Sequence, residues 1–154
     1  MRIQSFQEFW PFYLSQHSNL YCRILHFFGT TAFFLILLLC FLLNGWQIVA
    51  GIGITSVLSS LCFRMESKRN SFPILIVMIT ILAIADWWIY IGIFIAYLCA
   101  WIGHFIIEKN RPATFTYPLW SLAGDFRMWG GMCIGHYWNP DISKHWNDVP
   151  PNPE

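Results

Sequence analysis

The stretch W-I-G-H-F-I-I-E-K-N-R-P-A-T-F, residues 101–115, decides the architecture of this chain, because a long apolar run ends within it. His104 and Glu108 lie four residues apart at the end of this run. Helical spacing places the two side chains on one face, one turn apart. Pro112 and the polar residues 109–111 then end the helix, since the residue before a proline avoids the helical conformation. An ionisable pair at the end of an apolar helix indicates a functional site.

The composition indicates an integral membrane protein. Of the 154 residues, 56% are hydrophobic and 11% are charged, whereas soluble domains carry roughly 25% charged residues. The length allows one compact unit and no second domain. The net charge of +1 gives no basic surface for a nucleic acid, so we expect no partner of that class.

The apolar segments predict an all-α fold, a polytopic membrane helical bundle with about four transmembrane helices. From residue 72 to residue 107 the apolar run is interrupted by Asp86 alone, which we interpret as a solvated turn residue. A straight helix of that length would measure roughly 54 Å, beyond the roughly 30 Å of a hydrocarbon core, so we place a break near residues 85–87. Asn44 and Gly45 separate the two earlier segments. The predicted spans are residues 20–43, 46–63, 72–85 and 87–107.

The basic residues predict the orientation of the bundle. With four spans, all nine Lys and Arg residues fall on one side: Arg2, Arg23, Arg64, Lys68, Arg69, Lys109, Arg111, Arg127 and Lys144. The positive-inside rule then places both termini and the end that carries His104 in the cytoplasm. We expect a multi-pass protein of the bacterial inner membrane, or of the endoplasmic-reticulum membrane if the chain is eukaryotic. Homo-oligomerisation stays open.

An amphipathic helix is predicted in the interfacial layer at each end of the bundle. The N-terminal helix has an aromatic face, formed by Phe6, Trp10, Tyr13 and His17. Pro11 leaves open whether this segment is one helix or two. The C-terminal helix has an apolar face that does not include Asp125. The residues of this face are Leu119, Leu122, Phe126, Trp129 and Cys133. Residues 1–136 thus form a single membrane domain, and residues 137–154 form a polar tail that contains prolines.

Three histidines are candidates for a metal site. His17 precedes the first span, His26 lies about two turns into it and His104 ends the fourth, all at the same membrane face. His17 and His26 would face opposite ways on a continuous helix, but a break at residues 18–19 lets the three imidazoles converge. Neutral imidazole binds Fe, Zn, Cu or Ni, and three ligands with an open position form a catalytic arrangement. Glu108 could be a fourth ligand or could orient His104.

Structural interpretations stay open beside this one. Each histidine could hydrogen-bond within the bundle, Arg23 could bind a lipid phosphate, and Glu108 could pair with Arg111. An aromatic stripe on the fourth span could line an acyl-chain pocket or only pack between helices: Tyr90, Phe94, Tyr97, Trp101, His104 and Glu108. His136 and His145, near the C-terminus, are the weakest candidates. The sequence contains no motif of membrane di-iron enzymes, zinc proteases, serine hydrolases or phosphate-binding loops.

Three segments together resemble a known family. They are F-W-P-F-Y-L-S-Q-H-S-N (9–19), R-I-L-H-F-F-G-T (23–30) and W-I-G-H-F-I-I-E-K-N-R-P-A-T-F-T-Y-P-L-W-S-L-A-G-D-F-R-M-W (101–129). In these segments the chain resembles a small membrane family, formerly of unknown function. That family is related to the yeast endoplasmic-reticulum 2-hydroxy fatty acid dioxygenase of phytosphingosine α-oxidation. The resemblance covers about residues 5–45 and 87–130.

The resemblance implies an Fe(II)-dependent oxidoreductase that uses O2 to convert a 2-hydroxy fatty acid to the acid one carbon shorter. His17, His26 and His104 match the family's histidine positions and would be ligands of Fe2+. Glu108 and Asn110 match the motif that follows, and Glu108 is a catalytic candidate. We assign to Arg23 the neutralisation of the substrate carboxylate. The expected partners are the 2-hydroxy fatty acid, O2 and the lipid bilayer.

One segment departs from the resemblance. Residues 46–85 look like an inserted pair of spans, and an even number of added spans keeps both histidine-bearing ends on one side. Two other functions stay open. One is a non-catalytic lipid-binding membrane protein whose histidines are structural, and the other is a zinc-dependent lipid hydrolase.

Overall fold

The computed structural model describes residues 2–66, 68 and 70–142. All regular secondary structure within these ranges is helical, which confirms the predicted all-α class. The elements are α1 (Phe6–Ser15), α2 (Leu20–Phe63), α3 (Phe72–Ala85), α4 (Trp88–Trp101), a π-helix (Ile102–Glu108), a short 3₁₀ turn (Ala113–Phe115) and α5 (Pro118–Cys133). Arg69, Lys144, His145 and the tail prolines from Pro150 onward lie outside the described residues.

The helix α2 reverses direction at Asn44, which has the non-helical dihedral angles φ −129° and ψ 33°. A straight helix of its 44 residues would separate the two ends by about 66 Å. However, Phe27 near its start and Phe63 at its end pack against the same cluster of buried side chains. The chain therefore turns back at Asn44, where the sequence predicts the boundary between the first two spans.

A second reversal lies at Asp86. α3 ends at Ala85 and α4 begins at Trp88, which confirms the predicted break. Asp86 is only 8% exposed. One of its carboxylate oxygens accepts from the backbone N–H of Trp88, and the other accepts from the side-chain amide of Asn44 at 2.7 Å. The prediction of a solvated turn residue is wrong, because this carboxylate joins the two reversals to each other.

Two helical segments, Leu20–Phe63 and Trp88–Glu108, are long and apolar enough to cross a membrane by length and composition. α3 is also apolar but has 14 residues, which is about 21 Å of helix, so four separate spans stay a prediction. Large apolar side chains of these helices are exposed, among them Leu35, Leu42, Trp46, Leu61, Ile84 and Phe94. An apolar surface of this extent is expected to contact lipid or another apolar surface.

The end of the bundle away from Asn44 and Asp86 gathers the N-terminal segment and two loops. Arg2 donates to the backbone carbonyls of Glu66 and Thr116 at 2.7 and 2.9 Å. A cluster of buried apolar side chains at this end joins α1, α2 and α5, and its largest members are Phe9, Phe12, Tyr13, Leu14, Tyr117, Trp120, Met128 and Met132. This end of the bundle therefore holds the main core.

The N-terminal amphipathic helix is one continuous element. α1 runs through Pro11 without interruption, because a proline removes a single backbone hydrogen bond. Its first turn is capped by the Ser5 hydroxyl, which accepts from the backbone N–H of Glu8. α1 ends at Ser15 and the side chain of Asn19 caps α2, which confirms the predicted break at residues 18–19.

The C-terminal helix α5 buries a different face from the predicted one. Of the predicted apolar face, Phe126 and Cys133 are exposed. The buried residues of α5 are Pro118, Leu119, Trp120, Ser121, Gly124, Met128 and Met132. Gly124 permits this packing, since a Cβ atom at this position would lie 2.8 Å from the ring of Tyr13. The rotation turns Asp125 towards the start of α2.

Candidate metal centre and cavity

Three histidine side chains meet at the end of the bundle that holds the main core. The ring centroid of His17 lies 4.5 Å from that of His26 and 4.6 Å from that of His104, and the last two are 5.2 Å apart. The exposed fractions of the three residues are 1%, 5% and 3%. The structure therefore brings together the three histidines that the sequence analysis selected.

Each imidazole is held through its Nδ1 atom by an oxygen atom of a different residue. The contacts are His17 to the Tyr13 carbonyl at 2.7 Å, His26 to the Asp125 carboxylate at 3.0 Å and His104 to the Asn110 side-chain oxygen at 2.8 Å. Because a carbonyl or carboxylate oxygen can only accept, each Nδ1 carries the proton. In the neutral form of each ring, Nε2 then keeps its lone pair.

The Nε2 atoms of His17 and His26 are buried and have no hydrogen-bond partner among the described residues. An unpaired buried polar atom costs about 1–3 kcal/mol, so such atoms are rare in folded proteins. Burial, together with the neighbouring imidazoles of His26 and His104, lowers the pKa of His17 well below its ordinary value, which keeps this ring neutral. Neutral imidazoles with Nδ1 bonded and Nε2 free have the form that binds a divalent metal. The rings of His17 and His26 therefore have the tautomer that binds a metal ion through Nε2.

A π-helix positions His104. Segments of this wider winding often occur at functional sites. Gly103 lets the π-helix approach α2 closely, since a Cβ atom there would lie 2.9 Å from Sγ of Cys22. Lys109 then ends the segment in the left-handed conformation, with φ 55°. This turn places Asn110 beside His104.

Asn110 connects His104 to the end of α1. Its Nδ2 donates to the backbone carbonyl of Gln16 at 2.9 Å, which directs its oxygen atom to His104. The family-like segment contains Asn110, and its role as the partner of His104 follows only from the folded chain.

Asp125 and Tyr13 both support His26, and the sequence analysis gave neither of them a role. The Tyr13 hydroxyl donates to the same Asp125 oxygen that accepts from His26 Nδ1–H. Burial and the Asp125 carboxylate raise the pKa of Tyr13 well above its ordinary value, so the phenol stays protonated and keeps donating. The Tyr13 ring also stacks on His17, with centroids 4.1 Å apart. Asp125 could have been selected as the acidic residue of the family-like segment at 124–127.

Two sets of three donor atoms in the described part of the chain are compact enough to hold a metal ion, and neither set contains all three histidines. The donors of His17, Cys22 and His104 lie within 4.8 Å of one another, and so do those of His17, His26 and Asp125. Thiolate ligands favour zinc or copper(I), whereas imidazole with carboxylate is typical of non-haem iron. Since one Asp125 oxygen already accepts two hydrogen bonds, orientation of His26 is the role that its contacts support.

Arg23 is fully buried and is not among the residues that line the cavity described below. Its guanidinium donates to four backbone carbonyls: His17 at 2.8 Å, Ser18 at 2.6 Å, Tyr137 at 2.9 Å and Asn139 at 2.5 Å. These bonds hold the segment before α2 against the segment after α5. Ile142 of the latter segment is buried in the main core, so residues 137–142 pack on the bundle. The structure does not bring Arg23 to a position where it meets a bound carboxylate.

Glu108 also points away from the histidines. Its Oε2 accepts from the Ser18 hydroxyl at 2.8 Å, and its Oε1 accepts from the backbone N–H of Asn19 at 2.6 Å. The carboxylate thus caps the start of α2, where unpaired N–H groups stabilise negative charge. Glu108 therefore contacts the start of α2 and does not line the cavity with His104.

The histidines line a cavity of about 490 Å³, a volume typical of small-molecule sites. Tyr13, Ser121 and Asp125 line the cavity with them. Most of the remaining wall is apolar and includes Phe33, Phe34, Leu37, Ile52, Leu75, Met78, Ile79, Leu82, Ile93 and Phe126. A cavity with this wall suits an amphiphile whose polar end lies at the histidines.

Only part of the aromatic stripe of α4 lines the cavity. Tyr97 and Trp101 line it, whereas Tyr90 and Phe94 are exposed on the outside of the bundle. Side chains from the second half of α2 and from α3 also line the cavity, so residues 46–85 contribute to its wall. His136 is exposed and does not belong to the lining.

A family model described as 2-hydroxy-palmitic acid dioxygenase Mpo1-like matches residues 3–63 and 69–137. The match includes most of residues 46–85, so it does not support their interpretation as an insertion. No curated protein and no solved structure matches the chain significantly. All three clustered histidines and Asp125 lie within the matched residues. The chain therefore belongs to the Mpo1-like family of proteins related to 2-hydroxy-palmitic acid dioxygenase.

Proposed function

We propose that this protein is a membrane dioxygenase that uses Fe(II) and O2 to convert a 2-hydroxy fatty acid to the acid one carbon shorter. The observation that carries the proposal is the pair of buried Nε2 atoms without partners, in a three-histidine cluster on the wall of an apolar cavity. The family description supports the substrate class and the use of O2.

The three histidines would bind the metal ion, and neighbouring side chains would orient the imidazole rings. His17, His26 and His104 would hold the ion through Nε2. Bound iron would supply the activation of O2 next to the carboxyl end of the substrate. Asp125 would fix the ring of His26 and raise its basicity, while Asn110 fixes the ring of His104. The apolar wall would hold the acyl chain and keep water away from the reacting end.

The proposed reaction balances without a further reductant. The bond between C1 and C2 of the substrate breaks, C1 leaves as CO2, and C2 becomes the carboxyl carbon of the shorter acid. The shorter acid, CO2 and one water together contain all the oxygen atoms of the substrate and O2. The two carbon atoms supply all the electrons that reduce O2, so iron would be needed only in catalytic amount.

The proposed location is a membrane, with the histidine cluster and both termini on the cytoplasmic side. The exposed apolar side chains of α2, α3 and α4 support contact with lipid. The basic residues of the loops support the orientation, because Arg2, Lys68 and Arg111 lie in segments at the end of the bundle that holds the histidines. A four-span path is part of this proposal.

Oxygen consumption by anaerobically purified protein, reloaded with Fe(II), tests the proposed function. With 2-hydroxyhexadecanoate as substrate we expect O2 uptake and formation of pentadecanoate and CO2 in equal amounts. Hexadecanoate and 3-hydroxyhexadecanoate are the matched controls and should give no uptake.

Metal exchange separates the proposed function from the two alternatives. Zinc-loaded protein should be inactive with the 2-hydroxy acid. Product release from a lipid ester without O2 would instead identify a hydrolase. Binding of the acid with no turnover under any metal would identify a lipid-binding protein and contradict the proposal.

A further inference from the structure

Ser121 differs in its hydrogen bonding from several other hydroxyl side chains in the described helices. Four of those hydroxyls donate to the backbone carbonyl one turn earlier: Thr31 to Phe27, Thr55 to Gly51, Ser60 to Ser56 and Thr80 to Ile76. This is the usual arrangement in apolar helices, where a hydroxyl has no better partner. The Ser121 hydroxyl is buried and has no hydrogen-bond partner in the described part of the chain.

The missing bond of Ser121 is not explained by a missing acceptor. The carbonyl of Tyr117 lies one turn earlier in the chain, where it accepts from the backbone N–H of Ser121 at 2.8 Å. The residue is 2% exposed, so bulk solvent does not supply the partner. A hydroxyl that is buried without a bond destabilises the folded chain, and a ligand that bonds to it would recover that loss.

Ser121 lies beside the candidate metal centre. It lines the same cavity as the three histidines, and it precedes Asp125 by one turn of α5 on the same face. Gly124 keeps this part of α5 close to Tyr13. The hydroxyl is therefore placed near the polar end of a bound amphiphile.

The charge of the cavity indicates which polar group Ser121 meets. Among the described residues, no Lys or Arg lines the cavity. A carboxylate would be paired by the positive charge that a bound metal ion brings to the histidines. A neutral hydroxyl matches a neutral partner, which it can serve as both donor and acceptor.

We propose that Ser121 binds the 2-hydroxyl group of the substrate and thereby makes the cavity selective for 2-hydroxy acids over acids that lack this group. This inference rests on the proposed substrate class but not on turnover. A site that leaves a buried polar group unpaired discriminates against the ligand that cannot pair it. Ser121 is a substrate-binding residue in this account, and it takes no part in holding the metal.

The test is a binding measurement without O2, so that no turnover occurs. Full-length protein in lipid nanodiscs is loaded with Fe(II), and its affinities for 2-hydroxyhexadecanoate and hexadecanoate are measured. Wild-type protein should prefer the 2-hydroxy acid. In Ser121→Ala we expect the affinity for the 2-hydroxy acid to fall about tenfold and the affinity for hexadecanoate to stay the same. Iron content should be unchanged in this variant.

Two further variants complete the experiment. Ser121→Thr retains a hydroxyl and should retain a preference. Thr80→Ala removes a helical hydroxyl that lies outside the cavity and is already bonded to the carbonyl of Ile76, so it should leave both affinities unchanged. Equal losses for both acids in Ser121→Ala, or no preference in the wild-type protein, would overturn the assignment. Preference for the 2-hydroxy acid without O2 consumption would instead contradict the proposed function and leave the role of Ser121 standing.

Discussion

The buried guanidinium of Arg23 and the buried histidine cluster touch each other at one end of the bundle. The two groups differ in how their polar atoms are paired. Arg23 donates to the backbone carbonyl of His17, which joins the two groups. Four N–H groups of the Arg23 guanidinium have backbone acceptors. In contrast, the Nε2 atoms of His17 and His26 have no partner among the described residues.

The difference shows that burial alone does not identify a functional side chain. A buried charge with all its bonds made stabilises the segments that it joins. A buried atom without a bond lowers stability, and a bound ion or ligand is one explanation for its retention. We therefore expect substitutions in the histidine group to remove metal and activity, and substitution of Arg23 to reduce stability.

The largest effect is expected for His26→Ala. Loss of one of three imidazoles should release the metal ion, so iron content and O2 consumption should both fall to background. Elemental analysis and an oxygen electrode measure the two quantities. His136→Ala is the matched control, because His136 is exposed and lies outside the cavity. Full activity in the His26 variant would contradict the assignment of His26 as a metal ligand.

The next effect is expected for Arg23→Met, which leaves four backbone carbonyls without their donor. We expect the free energy of unfolding to fall by about 3 kcal/mol or more, measured by denaturant titration in detergent micelles. Arg127→Met is the control, since exposed Arg127 packs on the Trp10 ring at 4.2 Å and should cost about 0.5–1 kcal/mol. A variant of Arg23 with normal stability and weak substrate binding would restore the role of carboxylate partner.

A smaller effect is expected for Asp125→Asn. The neutral amide still fits beside His26 but orients its imidazole less strongly, so metal affinity should fall about 10–100-fold. A titration of the metal-free protein with Co(II), followed by visible absorption, measures this. Asp86→Asn changes a buried carboxylate at the other end of the bundle and should leave metal affinity unchanged. Equal effects of the two variants would indicate a general loss of stability.

A still smaller effect is expected for Glu108→Gln. The amide oxygen can still accept one bond at the start of α2, so the loss of stability should stay near 1 kcal/mol or below. Iron content and O2 consumption should be retained. The sequence analysis assigns Glu108 a catalytic role, and a loss of turnover by an order of magnitude with normal iron content would support that role over capping.

A change in the pH dependence of stability is expected at Glu66, a fully buried residue outside both groups. Burial raises the pKa of its carboxyl group from 4.5 to about 7. Between these values the unfolded chain loses the proton while the folded chain keeps it, so stability should decline as the pH rises through this window. Glu66→Gln should abolish this decline, while Glu8→Gln, at an exposed position, should not. Thermal unfolding at several pH values measures the difference.

The sequence predicts those parts of the fold that depend on local signals. Apolar length, the reversals at Asn44 and Asp86 and the cap at Asn19 place the helix ends correctly. The break before α2 also removes the objection that His17 and His26 face opposite ways. For this reason the meeting of the three histidines could be predicted before the fold was known.

The roles of the supporting residues could not be predicted because they depend on packing between distant segments. Glu108 finds its partners at the start of α2, and no local signal in the sequence marks this contact. The face of α5 is set by contact between Gly124 and Tyr13, which turns Asp125 inward against the apolar pattern. Arg23 finds its carbonyl partners in a segment more than a hundred residues away.

The central claim is that the three histidines bind one iron ion through Nε2. Iron K-edge X-ray absorption on anaerobically purified protein, combined with elemental analysis, tests it most directly. The account predicts about one iron per chain, with imidazole nitrogens as the protein ligands. A protein that binds no divalent metal, or that binds iron with an unchanged spectrum after His17→Ala, His26→Ala and His104→Ala, would contradict the account.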